Sequence, residues 1–189
     1  MARVTASGEI VLDAQAVAGV IRRMASEIVE QTRATASLGL VGIQRGGTPI
    51  AQRLAQIVRE TDGRELPLGV LDITLYRDDA ASALLDPKVG PSRIEWQVQD
   101  SDVVLVDDVL HTGRTVRAAI DCLLDYGRPK RIWLAVLCDR GGRQLPISAD
   151  FVGSTFDVPE GFVLDVVAEG GDSDGARLRA RTAGRGATP

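Results

Sequence analysis

The sequence predicts an α/β fold: an open, mostly parallel sheet flanked by helices. Three observations predict it. Residues 103–137 read as a buried strand, a polar turn, an amphipathic helix and a second strand. Residues 38–58 repeat the first half of that pattern. Hydrophobic residues make up 44% of 189 residues, enough for one sizeable core. Strand, helix, strand in that order is a βαβ unit, which builds parallel pairing.

Taken in order, Asp13 is placed to cap a helix whose Val17, Val20, Ile21, Met24 and Ile28 share one stripe. Leu38–Ile43 reads as a short buried strand, ended by the turn Gln44-Arg45-Gly46-Gly47. Thr48 and Pro49 suit a helix start, and Ile50, Leu54, Ile57 and Val58 give that helix its apolar face. Residues 68–75 read as a strand. From 76 to 97 the pattern lapses into Asp, Pro, Gly and Ser, which predicts a long loop or hairpin. Residues 103–106 are a fully apolar strand, and 107–113 a polar turn. In the helix over 115–126, Val116, Ala119, Ile120, Leu123 and Leu124 lie on one face; Gly127 and Pro129 end it. Residues 132–137 form the next strand, with shorter strand-like runs near Phe151 and over 162–167. No internal repeat or second domain is evident, so residues 1–169 are expected to form one domain.

Composition narrows the function classes. The net charge is −4, against a wholly basic nucleic-acid binder but not against a local basic patch. The last twenty residues carry +2, leaving −6 for residues 1–169. That tail, 170–189, has no apolar periodicity and is expected to be disordered. No apolar run is long enough to span a bilayer, and no secretory signal is expected. Cys122 and Cys138 form no metal-type cluster and are expected to be buried thiols in a reducing cytoplasm.

The chemistry concentrates after the 103–106 strand. In open parallel sheets ligands bind beyond the carboxyl ends of the strands. There stand Asp107 and Asp108, then Val109, Leu110, His111, Thr112, Gly113, Arg114 and Thr115. Threonine hydroxyls and a glycine at a helix N-terminus make an anion site, because unpaired N–H groups point outward along the helix dipole. A ligand with a phosphate at one end and vicinal hydroxyls beside it satisfies both halves, as ribose 5-phosphate does. An acid pair of this kind also binds magnesium in phosphoacceptor receiver domains, where it usually opens the chain. The Thr-Gly pair is open to reading as a helix cap alone. Walker A and dinucleotide-binding glycine signatures are absent.

The run over 103–115 resembles the thirteen-residue phosphoribosyl pyrophosphate motif of type I phosphoribosyltransferases. Asp72-Ile73-Thr74-Leu75-Tyr76-Arg77-Asp78-Asp79, Gly127-Arg128-Pro129 and the run from Leu134 through Arg140-Gly141 to Gly153 are similar to the PyrR family within that class. The resemblance covers about residues 10–168. It implies the type I fold with a small hood and a long flexible loop. It also implies two functions: conversion of uracil and phosphoribosyl pyrophosphate to uridine monophosphate and pyrophosphate, and attenuation of pyrimidine operons through a leader mRNA, in response to uridine monophosphate. Two alternatives stay open: a phosphoribosyltransferase for another base without RNA regulation, and a regulator with little catalysis.

On that resemblance, Asp107 and Asp108 contact the ribose hydroxyls as catalytic carboxylates. Residues 109–115 wrap the 5-phosphate, and Gln44, Arg45, Gly46 and Gly47 hold pyrophosphate. Tyr76, Arg77 and Arg93 belong to the flexible loop. Cys138, Asp139, Arg140, Gly141 and Val163 lie near the base. Magnesium arrives with phosphoribosyl pyrophosphate rather than on its own protein ligands. Arg22, Arg23 and Arg33 are the candidate RNA surface. The family further implies a cytoplasmic homo-oligomer, dimeric or higher, with no membrane partner. Two departures stand out. The pyrophosphate turn places its arginine one position earlier than the family's Thr-Arg-Gly, and His111, the single histidine, replaces the usual aromatic. The motif position favours a phosphate-side role for His111 over acid–base chemistry.

Overall fold

A computed structural model describes residues 2–3, 10–76, 90–169 and 172–182. The main sheet has seven strands in the order β1-β8-β7-β6-β3-β4-β5. They are β1 (Ala2–Arg3), β3 (Leu38–Ile43), β4 (Leu68–Leu71), β5 (Arg93–Ile94), β6 (Asp102–Leu110), β7 (Arg131–Asp139) and β8 (Phe151–Asp157). All neighbours run parallel except β5, which returns antiparallel to β4. A smaller antiparallel sheet, β2 (Ile10–Leu12), β10 (Asp172–Thr182) and β9 (Phe162–Glu169) in that order, forms a hood. Three helices complete the fold: α1 (Ala14–Gln31), α2 (Gly47–Asp62) and α3 (Arg114–Leu124).

Strand alternation explains the layers. Leu40, Val104, Val106, Ala135 and Leu137 join Val17, Ile21 and Met24 of α1 and Ile50 and Leu54 of α2 in one core. Their sequence neighbours Val41, Val103, Leu105, Leu134 and Val136 join Val116, Ala119 and Leu123 of α3 in the other. Asp13 caps α1, its Oδ1 accepting from Ala16 N at 2.8 Å. Gly63 closes α2 in the left-handed conformation, φ 75°.

This topology has a consequence for the site. From β3 the chain crosses by α2 to β4 on one side. From β6 it crosses by α3, on the opposite face, to β7 on the other side. The strand order therefore diverges between β3 and β6. Such a switch point opens a crevice at the carboxyl ends of the two strands.

Three expectations are corrected. β6 does not turn at Asp107 but continues to Leu110, because pairing with β7 persists through Leu110 opposite Asp139. The strand expected over 68–75 stops at Leu71 and passes into a single 3-10 turn, Thr74–Tyr76; the Asp72 side chain accepts from Thr74 N at 2.9 Å and redirects the chain. Within the expected disordered tail, 172–182 forms β10, pairing with β9 on one side and β2 on the other. Main-chain hydrogen bonds order it without an apolar stripe. Residues 170, 171 and 183–189 lie outside the described residues. Among the described residues, no helix is long and apolar enough to cross a membrane.

Leu54 is fully buried between α2 and the sheet. Leu54→Ala is expected to lower unfolding free energy by about 3 kcal/mol, the usual scale for a leucine cavity. Urea denaturation with an unchanged m-value would check it.

Candidate active site

Two helices begin at the crevice, and neither is capped by a side chain. Gly46 precedes α2 and Gly113 precedes α3; neither helix has an acidic residue in its first turn. α1, which starts elsewhere, carries its aspartate cap. Unsatisfied N–H groups and positive helix dipoles thus lie at the carboxyl ends of the neighbouring strands β3 and β6, an arrangement suited to anions.

Between the two helix starts stand the carboxylates. Alternation along β6 sends Asp107 toward the α3 side and Asp108 toward α2. Asp107 is only 4% exposed, although it stands at the carboxyl end of the sheet. Burial, with the neighbouring Asp108 charge second, pushes its carboxyl well above the ordinary range. Its Oδ1 accepts from Asp108 N at 3.0 Å, and Asp108 Oδ1 from Val109 N at 2.8 Å. Asp108 is half-buried and lies over Gly46. A β-carbon at Gly46 would overlap the Asp108 carboxylate, and one at Gly47 would overlap the Val106 carbonyl. In this chain a side chain at position 46 would have to displace the Asp108 carboxylate. Arg45 instead is exposed and lines a cavity of about 320 Å³ with Gly46 and Asp108. The far walls of that cavity are Ile21, Ile50 and, from the hood, Asp165.

The phosphate-side turn is shaped from behind. The His111 carbonyl accepts from Arg143 Nη1 at 2.8 Å. The Thr112 carbonyl accepts from Gln144 N at 3.0 Å and Leu145 N at 3.1 Å. The Gly113 carbonyl accepts from Arg117 N inside α3. With three successive carbonyls occupied, the turn has mainly N–H and hydroxyl donors left to offer. Gly113 sits at φ 90°, a left-handed conformation that favours glycine. Arg114 is held by Gln144, Nε to Oε1 at 2.9 Å. The His111 imidazole lies against Gly142. Burial first, then the charges of Arg140 and Arg143, hold it below its ordinary pKa, so it is neutral at neutral pH.

The base-side residues separate. Asp139 accepts from Gly141 N at 2.8 Å and pairs with Arg143; Arg140 reaches the hood through the Phe162 carbonyl at 2.8 Å. Val163 shares a face of β9 with the cavity-lining Asp165. Cys138 does not join them: its side chain is fully buried with Phe156 and Leu164, and burial pushes its thiol up to about 12. Tyr76 is an anchor rather than a cleft residue. Its hydroxyl donates to Asp125 beyond α3, which raises the phenol pKa, and its carbonyl accepts from Arg117 at 2.9 Å. Arg93 pairs with Glu95 on exposed β5. Arg77 lies outside the described residues. Arg22 and Arg33 are exposed, whereas Arg23 bonds Glu27 and the Val152 and Gly153 carbonyls. Asp165 was missed in the sequence, although strand alternation from Val163 points to it. Gln144 carries no sequence signal for its role, which depends on the fold bringing 143–145 behind the phosphate turn.

Residues 7–166 match the phosphoribosyl transferase domain family. The chain is 51% identical over 152 residues to the bifunctional protein PyrR of Thermus aquaticus, covering 80% of this chain and 84% of that one. It is 43% identical over 174 residues to the bifunctional protein PyrR of Deinococcus radiodurans, covering 92% and 94%. Among solved structures, the hypoxanthine phosphoribosyltransferase of Trypanosoma cruzi aligns with a TM-score of 0.66 over 93% of this chain and 97% of its own, at 16% identity. That of Staphylococcus aureus aligns with a TM-score of 0.60 over 82% and 81%, at 18% identity. At those identities the structural likeness speaks for the fold alone.

A carboxyl whose folded pKa is raised favours folding below its ordinary value of 3.8 and costs stability as pH rises through the folded value. Asp107→Asn is therefore expected to melt higher than the parent protein at neutral pH, with the gap closing toward pH 4. Melting curves across that range check the sign. Gly46→Ala should displace the Asp108 carboxylate, and with it lose binding of phosphoribosyl pyrophosphate by calorimetry while the fold persists by circular dichroism.

Proposed function

We propose, for a chain that belongs to the PyrR family of phosphoribosyl transferases, that both of its functions run from the cleft between β3 and β6. The protein is a uracil phosphoribosyltransferase and a regulator of pyrimidine operons. The observation that supports this site is the convergence of two uncapped helix N-termini on an adjacent carboxylate pair.

In the proposed complex the 5-phosphate takes the start of α3, with donors from residues 109–115. Pyrophosphate takes the start of α2, with Gln44, Arg45, Gly46 and Gly47. The ribose lies between, its hydroxyls donating to Asp107 and Asp108. Uracil enters from the β7 end near Asp139, Arg140 and Gly141, under Val163 of the hood. As N1 of uracil approaches C1 and the bond to pyrophosphate lengthens, positive charge grows on the ribose ring. The Asp108 carboxylate beside it opposes that charge, and helix dipoles at both ends hold the anionic groups in line. The N1 proton passes to the released pyrophosphate or to water; neutral His111 remains on the phosphate side.

Magnesium fits as an ion carried by the substrate. The diphosphate oxygens of phosphoribosyl pyrophosphate would supply its hard-oxygen ligands. When bound, the ion neutralises charge on the departing pyrophosphate.

For regulation, exposed Arg22 and Arg33 are the proposed contacts to leader mRNA, with uridine monophosphate in the cleft as the signal. Arg23 shares the helix, but its guanidinium is bound to Glu27 and to β8. Assembly as a dimer or higher homo-oligomer, and action in the cytoplasm, complete the reading.

Purified protein with phosphoribosyl pyrophosphate and magnesium is expected to convert uracil to uridine monophosphate. Turnover of hypoxanthine, guanine or orotate with none of uracil would sink the substrate assignment. Asp108→Asn should lower kcat by about 10²–10³, the scale for losing one preorganised electrostatic group. Chelation by EDTA should abolish turnover without moving the melting temperature, and added magnesium should restore it.

A further inference from the structure

The carboxyl end of β4 does more than terminate a strand. Leu71 O accepts from Gln44 N at 2.8 Å, tying the start of the pyrophosphate turn to β4. The next residue, Asp72, stands where the chain leaves toward 77–89 and where it returns at Gly90. Asp72 Oδ1 accepts from Thr74 N at 2.9 Å and from Thr74 Oγ1 at 2.5 Å. Its other oxygen accepts from Gly90 N. Its main-chain N donates to Ser92 Oγ at 2.8 Å. One residue thus bonds the outgoing and the returning chain.

The returning chain sits against the pyrophosphate turn. A β-carbon at Gly90 would lie 2.6 Å from Gln44 Oε1 and 2.9 Å from Asp72 Oδ2, so a side chain there would force one of those side-chain ends to shift. Gly90, Gln44 and Asp72 therefore form one tight junction, and the Gln44 side chain is confined by the other two. Burial opposes ionisation of Asp72, but the bonds from Thr74 and Gly90, with the Arg45 charge, outweigh it and hold the carboxyl below its ordinary pKa. Asp72 stays a carboxylate, acceptor-only, across the neutral range.

We propose that Asp72 is a positioning residue for the pyrophosphate end of the site, fixing Gly90 against Gln44 so that the 44–47 turn keeps its shape before substrate arrives. It acts through Gln44 and does not touch the reacting atoms. The proposal rests on the assignment of pyrophosphate to that turn.

Two variants test it. Asp72→Asn keeps the size but turns an NH2 donor toward Thr74 or Gly90, replacing an acceptor. Gly90→Ala leaves Asp72 intact and crowds Gln44 instead. Each is expected to raise KM for phosphoribosyl pyrophosphate and the inhibition constant of pyrophosphate by about tenfold, the equivalent of one charge-assisted hydrogen bond. KM for uracil should change less than twofold, and calorimetric binding of pyrophosphate with magnesium should weaken in parallel. A purely structural role would lower the melting temperature or raise both KM values together. Either that pattern, or parent-like pyrophosphate binding in both variants, would overturn the proposal. Absence of uracil turnover in the parent protein would instead remove the functional reading, so the two failures are distinguishable.

Discussion

The rest of the site depends on the close approach of Gly46 and Gly47 to the end of β6. The two residues lie so near the Val106 carbonyl and the Asp108 carboxylate that a β-carbon at either would overlap them. That contact brings the start of α2 to the strand end that leads to α3. With it, two positive helix ends and two carboxylates share one crevice. Without it, β3 and β6 would still pair, but their terminal turns would not act on one ligand.

The geometry puts opposite charges to separate uses. Carboxylates left unpaired in a cleft repel each other, and burial worsens the cost for Asp107. The helix termini beside them are short of negative charge, since neither has a cap or a first-turn acid. Each half is unsatisfied in a way the other cannot relieve, because the carboxylates bond their own backbone instead. A ligand anionic at both ends and bearing hydroxyl donors at its centre relieves all of it. Such stored dissatisfaction is common at functional sites, where local consistency yields to chemistry.

Supporting elements supply rigidity from outside the crevice. The 143–145 segment occupies the carbonyls of His111 and Thr112. The β4 end holds the 44–47 turn through Leu71. Tyr76, bonded to Asp125 and to Arg117, ties the 3-10 turn after β4 to α3. These contacts join residues 27 or more positions apart, so they are a product of the fold.

The sequence by itself determined the elements whose cause is local. Apolar period sufficed for α1, α2, α3 and the interior strands, and Asp13 announced its own cap. The carboxylate pair and the Gly113 turn were legible too, because strand end and helix start are adjacent in the chain. Tertiary structure alone decided the remainder. β6 outran its apolar run because β7 kept pairing with it. Residues 172–182 became a strand through main-chain bonds, which leave no signature in side-chain pattern. Asp107 was buried and Tyr76 was drawn to α3 by neighbours that no local window contains. At position 46 the space a β-carbon would take is held by the Asp108 carboxylate, a neighbour that the local sequence does not place. Local propensity and period reach only along the chain, whereas burial, close approach and shared fields are set by which strands the topology makes neighbours.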